Sequence, residues 1–221
     1  MIDAPSPNHD DRGGHPVDIL LMHYTGMQSG PEALARLRDR DAKVSAHYVV
    51  EEDGRIFHLV PEERRAWHAG VSTWQGANNI NQRSIGIEIV NPGHEFGYRP
   101  FPAVQMQAVK ELSLGIIARH AIPASRVIGH SDVAPKRKED PGEFFDWQGL
   151  ATAGVGVWPR AKAPDWSDGA FFTHLERYGY DIGDEAAAAR AFCRHFRPTH
   201  IADVPDAEMM ALLNGLLIGD I

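Results

Sequence analysis

Twelve histidines stand in a chain of 221 residues, and two of them end apolar runs: His23 follows Ile19-Leu20-Leu21-Met22, and His130 follows Val127-Ile128-Gly129. Side chains just past the carboxyl ends of strands face the crevice where α/β folds bind ligands. Ten residues beyond His130, Asp140 lies in a charged, proline-punctuated loop, SDVAPKRKEDPG. Two imidazoles and one carboxylate, with a fourth position left to water, make the open zinc pattern of hydrolases, in which the metal brings the pKa of its water to about 7. Glu88 sits within the otherwise apolar run SIGIEIV. Burying a carboxylate there is costly unless it is paired or functional, so Glu88 is the candidate base. Lys138, two residues before Asp140, is placed to meet an oxyanion. The spacing of His130 and Asp140 is a weak signal. Taken alone it favours a plainer reading, with His130 capping a loop and Asp140 in a surface turn.

The elements that must position these groups follow from local patterning. Val17 to Met22 is a short, nearly continuous apolar run and reads as a buried strand. Ser29 with Glu32 resembles a capping box opening a helix through Glu32 to Asp41, with Leu34 and Leu37 inward. His47 to Glu52 and Arg55 to Val60 flank Asp53-Gly54, a hairpin signal. Ser84 to Val90 is a further strand, Pro102 to His120 a long helix with Val109, Leu112 and Ile116 on one face, and Arg126 to Gly129 a short strand. This alternation predicts a mixed α/β domain over residues 1–160. Val157 to Pro164 reads as a linker. Beyond it, Asp168 to Tyr178, Asp184 to Phe196 and Asp206 to Leu217 predict a small three-helix unit spanning 161–221, with Asp184 and Asp206 as N-caps.

Composition narrows the function. With 22 Lys and Arg against 30 Asp and Glu, the formal net charge is −8, which argues against an affinity built on nucleic-acid phosphates. The single cysteine, Cys193, excludes a disulfide framework and a thiolate-rich zinc finger. Among Ala191, Phe192 and Phe196 it reads as helix core rather than a nucleophile. No stretch approaches the roughly 20 apolar residues of a membrane span. Residues 1–18 are polar and proline-rich, without the features of a secretory signal, so the expected location is the cytoplasm, or the periplasm if a leader has been removed.

Four blocks carry a family resemblance: MHYTGM, VSAHYVVEEDG, RAWHAGVSTWQGANNINQRSIGIEIVN and IGHSDVAPKRKEDPG. In this order they resemble the zinc N-acetylmuramoyl-L-alanine amidases, the amidase-2 family related to the peptidoglycan recognition proteins. The likeness runs from about His15 to Pro159. It implies a mixed sheet flanked by helices, and one zinc ion held by His23, His130 and Asp140. It further implies Glu88 as catalytic glutamate and Lys138 as the lysine that stabilises the transition state. It places Trp67 and His68 in the substrate groove, where core packing is the alternative. Asn79 and Asn81 would contact a muropeptide or stabilise their loop. His47 reads as a structural histidine, and Tyr24 as packing beside a ligand. The segment from Leu175 to Phe196 and beyond resembles the small helical peptidoglycan-binding module.

The implied activity is hydrolysis of the amide between N-acetylmuramic acid, in its ordinary or 1,6-anhydro form, and L-alanine, with muropeptides or peptidoglycan fragments as partners. The competing reading is a recognition protein that holds muropeptides without cutting them. A zinc protease is a poor third, because HExxH is lacking. Oligomeric state is left open, with a monomer compatible. The segment Asn91 to Pro100, which contains glycines and aromatics, could close over substrate.

Overall fold

A computed structural model describes residues 1–219, the Asp168 side chain excepted; Asp220 and Ile221, which end the expected 161–221 unit, lie outside the described residues. The strands are β1 (Ile2–Asp3), β2 (His9–Asp11), β3 (Ile19–Tyr24), β4 (Tyr48–Val50), β5 (Ile56–His58), β6 (Arg64–Ala66), β7 (Thr73–Trp74), β8 (Ala77–Asn78), β9 (Ser84–Ile89) and β10 (Val127–Gly129). The helices are α1 (Gly30–Arg38), α2 (Ile80–Arg83), α3 (Gly93–Phe96), α4 (Ala103–His120), α5 (His130–Val133), α6 (Trp147–Thr152), α7 (Phe171–Tyr178), α8 (Glu185–Phe196) and α9 (Ala207–Ile218). Six strands form one sheet in the order β1-β5-β4-β9-β3-β10. It is mixed: β4 and β5 pair antiparallel, and the other neighbours are parallel.

Successive side chains on a strand point to opposite faces, and both faces are covered. Leu20 and Met22 of β3, with Ile85, Ile87 and Ile89 of β9, pack on Val109, Leu112 and Ile116 of α4. Ile19 and Leu21 of β3, with Ile128 of β10, share a cluster with Phe171, Leu175, Phe192, Phe196 and Leu213 from the three C-terminal helices. A strand buried on both faces reads as a continuous apolar run, as ILLM does. Each such side chain, fully buried, contributes roughly 1.5–3 kcal/mol.

Most predicted elements are present, with shifted ends. The Asp53-Gly54 turn joins β4 to β5, with Gly54 at φ +83°, where a side chain would be strained. Ser29 caps α1 by accepting the Glu32 N–H at 3.4 Å. That helix ends at Arg38 rather than Asp41, because Asp39 turns to extended backbone and its carboxylate accepts the Asp41 N–H at 3.0 Å, opening a tighter turn over Arg40–Ala42. Asp184 and Asp206 do cap α8 and α9, accepting from Ala187 and Met209 N–H at 3.0 Å each.

The polar N-terminal stretch is knitted into the fold. β1 adds a strand to the sheet beside β5, and β2 pairs with β6. Arg12, 5% exposed, donates to the carbonyls of Glu62, Asn81, Gln82 and Ser84 at 2.8–3.2 Å, tying this stretch to the start of β9. The expected linker is irregular but held: Lys162 N–H donates to Ala211 O at 2.9 Å, and Asn214 Nδ2 to Lys162 O at 3.1 Å. Among the described residues no helix is long and apolar enough to cross a membrane.

Candidate metal centre

Sheet register brings the chemistry together. His23 of β3 lies opposite Glu88 of β9, and Met22 lies opposite Gly129 of β10. His130, the next residue, opens α5 beside His23. The loop after α5 returns so that Ser131 N–H donates to Asp140 O at 2.9 Å, which sets the third group, a carboxylate, against the two rings. His23 Nδ1, His130 Nδ1 and Asp140 Oδ2 are mutually 2.9–3.0 Å apart. All three residues are buried.

Hydrogen-bond partners fix where the protons are. The Ser84 hydroxyl donates to Ile80 O at 2.7 Å, so its oxygen is left to accept from His68 Nε2 at 3.2 Å. His68 Nδ1 is then an acceptor and takes the His23 Nε2–H at 3.0 Å. That leaves His23 Nδ1 bare. Likewise His130 Nε2–H donates to Ala69 O at 3.0 Å, leaving its Nδ1 bare. Two imidazole lone pairs and a carboxylate oxygen therefore face one another with no proton between them, an arrangement that a cation satisfies. Burial, reinforced by His130, holds the His23 imidazole at a pKa of about 4, hence neutral near pH 7. Neutral imidazoles and an ionised carboxylate are what a divalent metal needs, and the donor set suits zinc.

The three ligand atoms open onto a cavity of about 290 Å³, whose walls include Glu88, Lys138, Thr25, Met27 and Arg36. Glu88 Oε2 is buried and has no hydrogen-bond partner among the described residues. Burial, then the charge of Asp140, pushes the Glu88 carboxyl well above its ordinary pKa, against a smaller opposing pull from Lys138. A carboxyl with a raised pKa is suited to taking up and releasing protons. Lys138 is half-buried in the same wall.

The other expected site residues are placed differently. His68 touches the cavity, yet the residue is only 6% exposed and its ring packs edge-on against His23. A Cβ at position 86 would come within 2.5 Å of that ring, so only glycine leaves it room. Trp67, Asn79 and Asn81 do not line the cavity. The Trp67 backbone pairs with Ser45, donating to its Oγ at 2.9 Å and accepting from its N–H at 3.0 Å. Asn81 Oδ1 accepts the N–H groups of His68 and Ala69 at 3.0 and 2.8 Å, which frames the loop. Asn79, at φ +59°, precedes α2 and borders a separate groove with His15 and Arg83. Buried His47 accepts the Gly86 N–H at 3.0 Å, and the Tyr24 hydroxyl lies 3.0 Å from His94 Nδ1 at the rim. Ser84 and Gly86 were not singled out from the sequence. The alternation in SIGIEI carries the signal: its isoleucines face α4, and Ser84, Gly86 and Glu88 face the site.

Comparison with known proteins agrees with this geometry. Residues 13–143 match the N-acetylmuramoyl-L-alanine amidase family. The chain is 38% identical to the N-acetylmuramoyl-L-alanine amidase AmiD of Escherichia coli K12 over 230 residues, covering 91% of this chain and 82% of that one. It superposes with a TM-score of 0.83 and 37% identity, over 94% of this chain and 91% of the other, on E. coli AmiD solved with the substrate anhydro-N-acetylmuramic acid-L-Ala-D-gamma-Glu-L-Lys. AmpDh3 of Pseudomonas aeruginosa, solved with anhydromuramic pentapeptide, matches with a TM-score of 0.76 and 31% identity, over 95% of this chain and 93% of that one. With the family match spanning more than half of the chain and a relative matched along most of both lengths, the chain belongs to the N-acetylmuramoyl-L-alanine amidases.

Proposed function

We propose that the chain binds one zinc ion through His23 Nδ1, His130 Nδ1 and Asp140 Oδ2, and hydrolyses the amide between the lactyl group of 1,6-anhydro-N-acetylmuramic acid and L-alanine. The observation that carries the reading is the convergence of three bare ligand atoms beside an unpartnered, buried carboxylate in one cavity. Support for the anhydro form comes from the substrates with which the two relatives were solved.

Bound zinc would supply Lewis acidity, polarising the amide carbonyl and acidifying water. Glu88 takes the proton from the attacking water on its carboxylate and delivers it to the departing L-alanine nitrogen. Its raised pKa suits both halves of that transfer. The Lys138 ammonium faces the charge that grows on the former carbonyl oxygen. His68 and Ser84 hold the His23 ring in the tautomer that presents Nδ1, so their part is orientation. Trp67, Asn79 and Asn81 support the loops around the site. Residues 161–221 serve as a helical, peptidoglycan-binding-like unit, and the division near residue 160 is one of role, since both parts share a core cluster.

The test pairs defined anhydro and reducing-end muramyl peptides in one mass-spectrometric assay, with chelator and with zinc restored. Release of the intact stem peptide, faster from the anhydro substrate and abolished by chelator until zinc returns, is expected. Tight binding without release would favour a recognition protein instead. Work in the cytoplasm is the matching expectation for a chain acting on free anhydro-muropeptides, and fractionation of the native product checks it.

A further inference from the structure

The loop that carries two of the three ligands is gripped from outside, by the C-terminal helices. Asp132, fully buried, shares the four-residue helix α5 with His130. Its Oδ1 accepts the Tyr180 hydroxyl at 2.6 Å, and its Oδ2 accepts His195 Nδ1–H at 2.7 Å and the Gly129 N–H at 2.7 Å. Both side-chain partners thus come from beyond residue 160. The His195 ring is fixed in turn, stacked between Trp147 and Phe196 with centroids 3.9 Å away on each side. The same C-terminal segment, through helix α8 and the connection before it, reaches the loop twice more. Lys136 Nζ donates to Gly183 O at 2.9 Å, and Arg194 pairs with Glu139, the neighbour of Asp140, at 2.6 Å.

We propose that Tyr180 and His195 are positioning residues for the metal centre, holding α5 through Asp132 so that His130 Nδ1 meets the other two ligand atoms. A turn this short has no rigidity of its own, since one or two hydrogen bonds cannot define a helix. Its placement must come from what its side chains touch. Displacing Asp132 displaces His130, two residues earlier in the same turn, and, through the Ser131–Asp140 backbone bond, Asp140 as well. A metal site tolerates such shifts poorly, because ligand atoms must stay within about 0.5 Å of the productive geometry. The C-terminal segment is therefore part of the metal site's support, whatever else it binds. This inference rests on the metal reading above.

The experiment uses full-length protein and measures zinc affinity by competition with a chromophoric chelator, the visible spectrum of the cobalt-substituted form, and the thermal midpoint. Tyr180→Phe and His195→Gln are expected to weaken zinc binding about 10–100-fold and to shift the cobalt bands. Leu213→Ala, a cavity in the same C-terminal core on α9, which supplies none of these side-chain bonds to the loop, serves as control for lost stability alone. It should lower the midpoint at least as much while leaving zinc affinity within about twofold of the parent, given that its cost is one of packing. Unchanged affinity and spectrum in both Tyr180→Phe and His195→Gln overturn the proposal, as does a loss in Leu213→Ala that tracks its midpoint. Failure of the unsubstituted protein to bind zinc overturns the metal reading itself, and is seen separately in the same titration.

Discussion

Glu88 shows the cost of keeping a reactive group ready. Its carboxyl has a raised pKa in the folded chain, so the folded state binds a proton more tightly than the unfolded state does. Metal-free stability is therefore fully present below the ordinary carboxyl pKa and falls as pH rises through the elevated one. Glu88→Gln should raise the thermal midpoint of metal-free protein at pH 7, with the gain vanishing below about pH 4. It should retain zinc and lose about 10²–10⁴-fold in turnover. Calorimetry against pH and a metal assay check both halves, and wild-type turnover in this variant would remove Glu88 from the mechanism. The acid limb of the parent's pH–rate profile should lie above the ordinary carboxylate value. His68 acts one bond further out. His68→Phe should weaken zinc binding about 10–100-fold, with Ser84→Ala moving the same way by less, as measured by chelator competition. Unchanged affinity in His68→Phe would separate that ring from the metal.

At the level of elements, β9 does two jobs with one alternation. Its isoleucines face α4, while Ser84, Gly86 and Glu88 face the histidines. Gly86→Ala should push on His68, where the added carbon would lie 2.5 Å away. The expected cost is about 1–3 kcal/mol in stability, with a loss of metal affinity beside it, read by denaturant titration and competition. The strand was legible as a continuous apolar run, the hairpin from its Asp53-Gly54 turn, and the long helix because Val109, Leu112 and Ile116 share one period. His23, Glu88 and His130 were legible as polar residues where apolar runs predominate or end. β1 and β2 were not, since strands of two or three residues are too short to show a period and gain their place from the partners they find. The same holds for the role of His68. Sequence marks it within a family block, but only the fold shows that its ring packs against His23 and is not free in the groove.

On the scale of the whole molecule, the sheet needs both of its covers. Three helices were readable beyond residue 160, and so were the aspartate caps of the last two. An amphipathic pattern says which side is buried, not what it is buried against. Here the partner is the sheet face formed by Ile19, Leu21 and Ile128. A chain cut at residue 160 should expose that apolar face and associate or unfold, which size-exclusion chromatography and circular dichroism would reveal. A monomeric, cooperatively folded fragment with full zinc affinity would show that the helices are dispensable to both core and site. The central claim, that this site delivers water to one particular amide, is tested most directly by isotope. Zinc-loaded protein would be given a defined anhydro-muramyl tripeptide in ¹⁸O water, and both products weighed. The account predicts one ¹⁸O atom in the lactyl carboxylate of the sugar fragment and none in the released peptide. Label in a peptide carboxylate, or no cleavage by zinc-loaded protein, would contradict it.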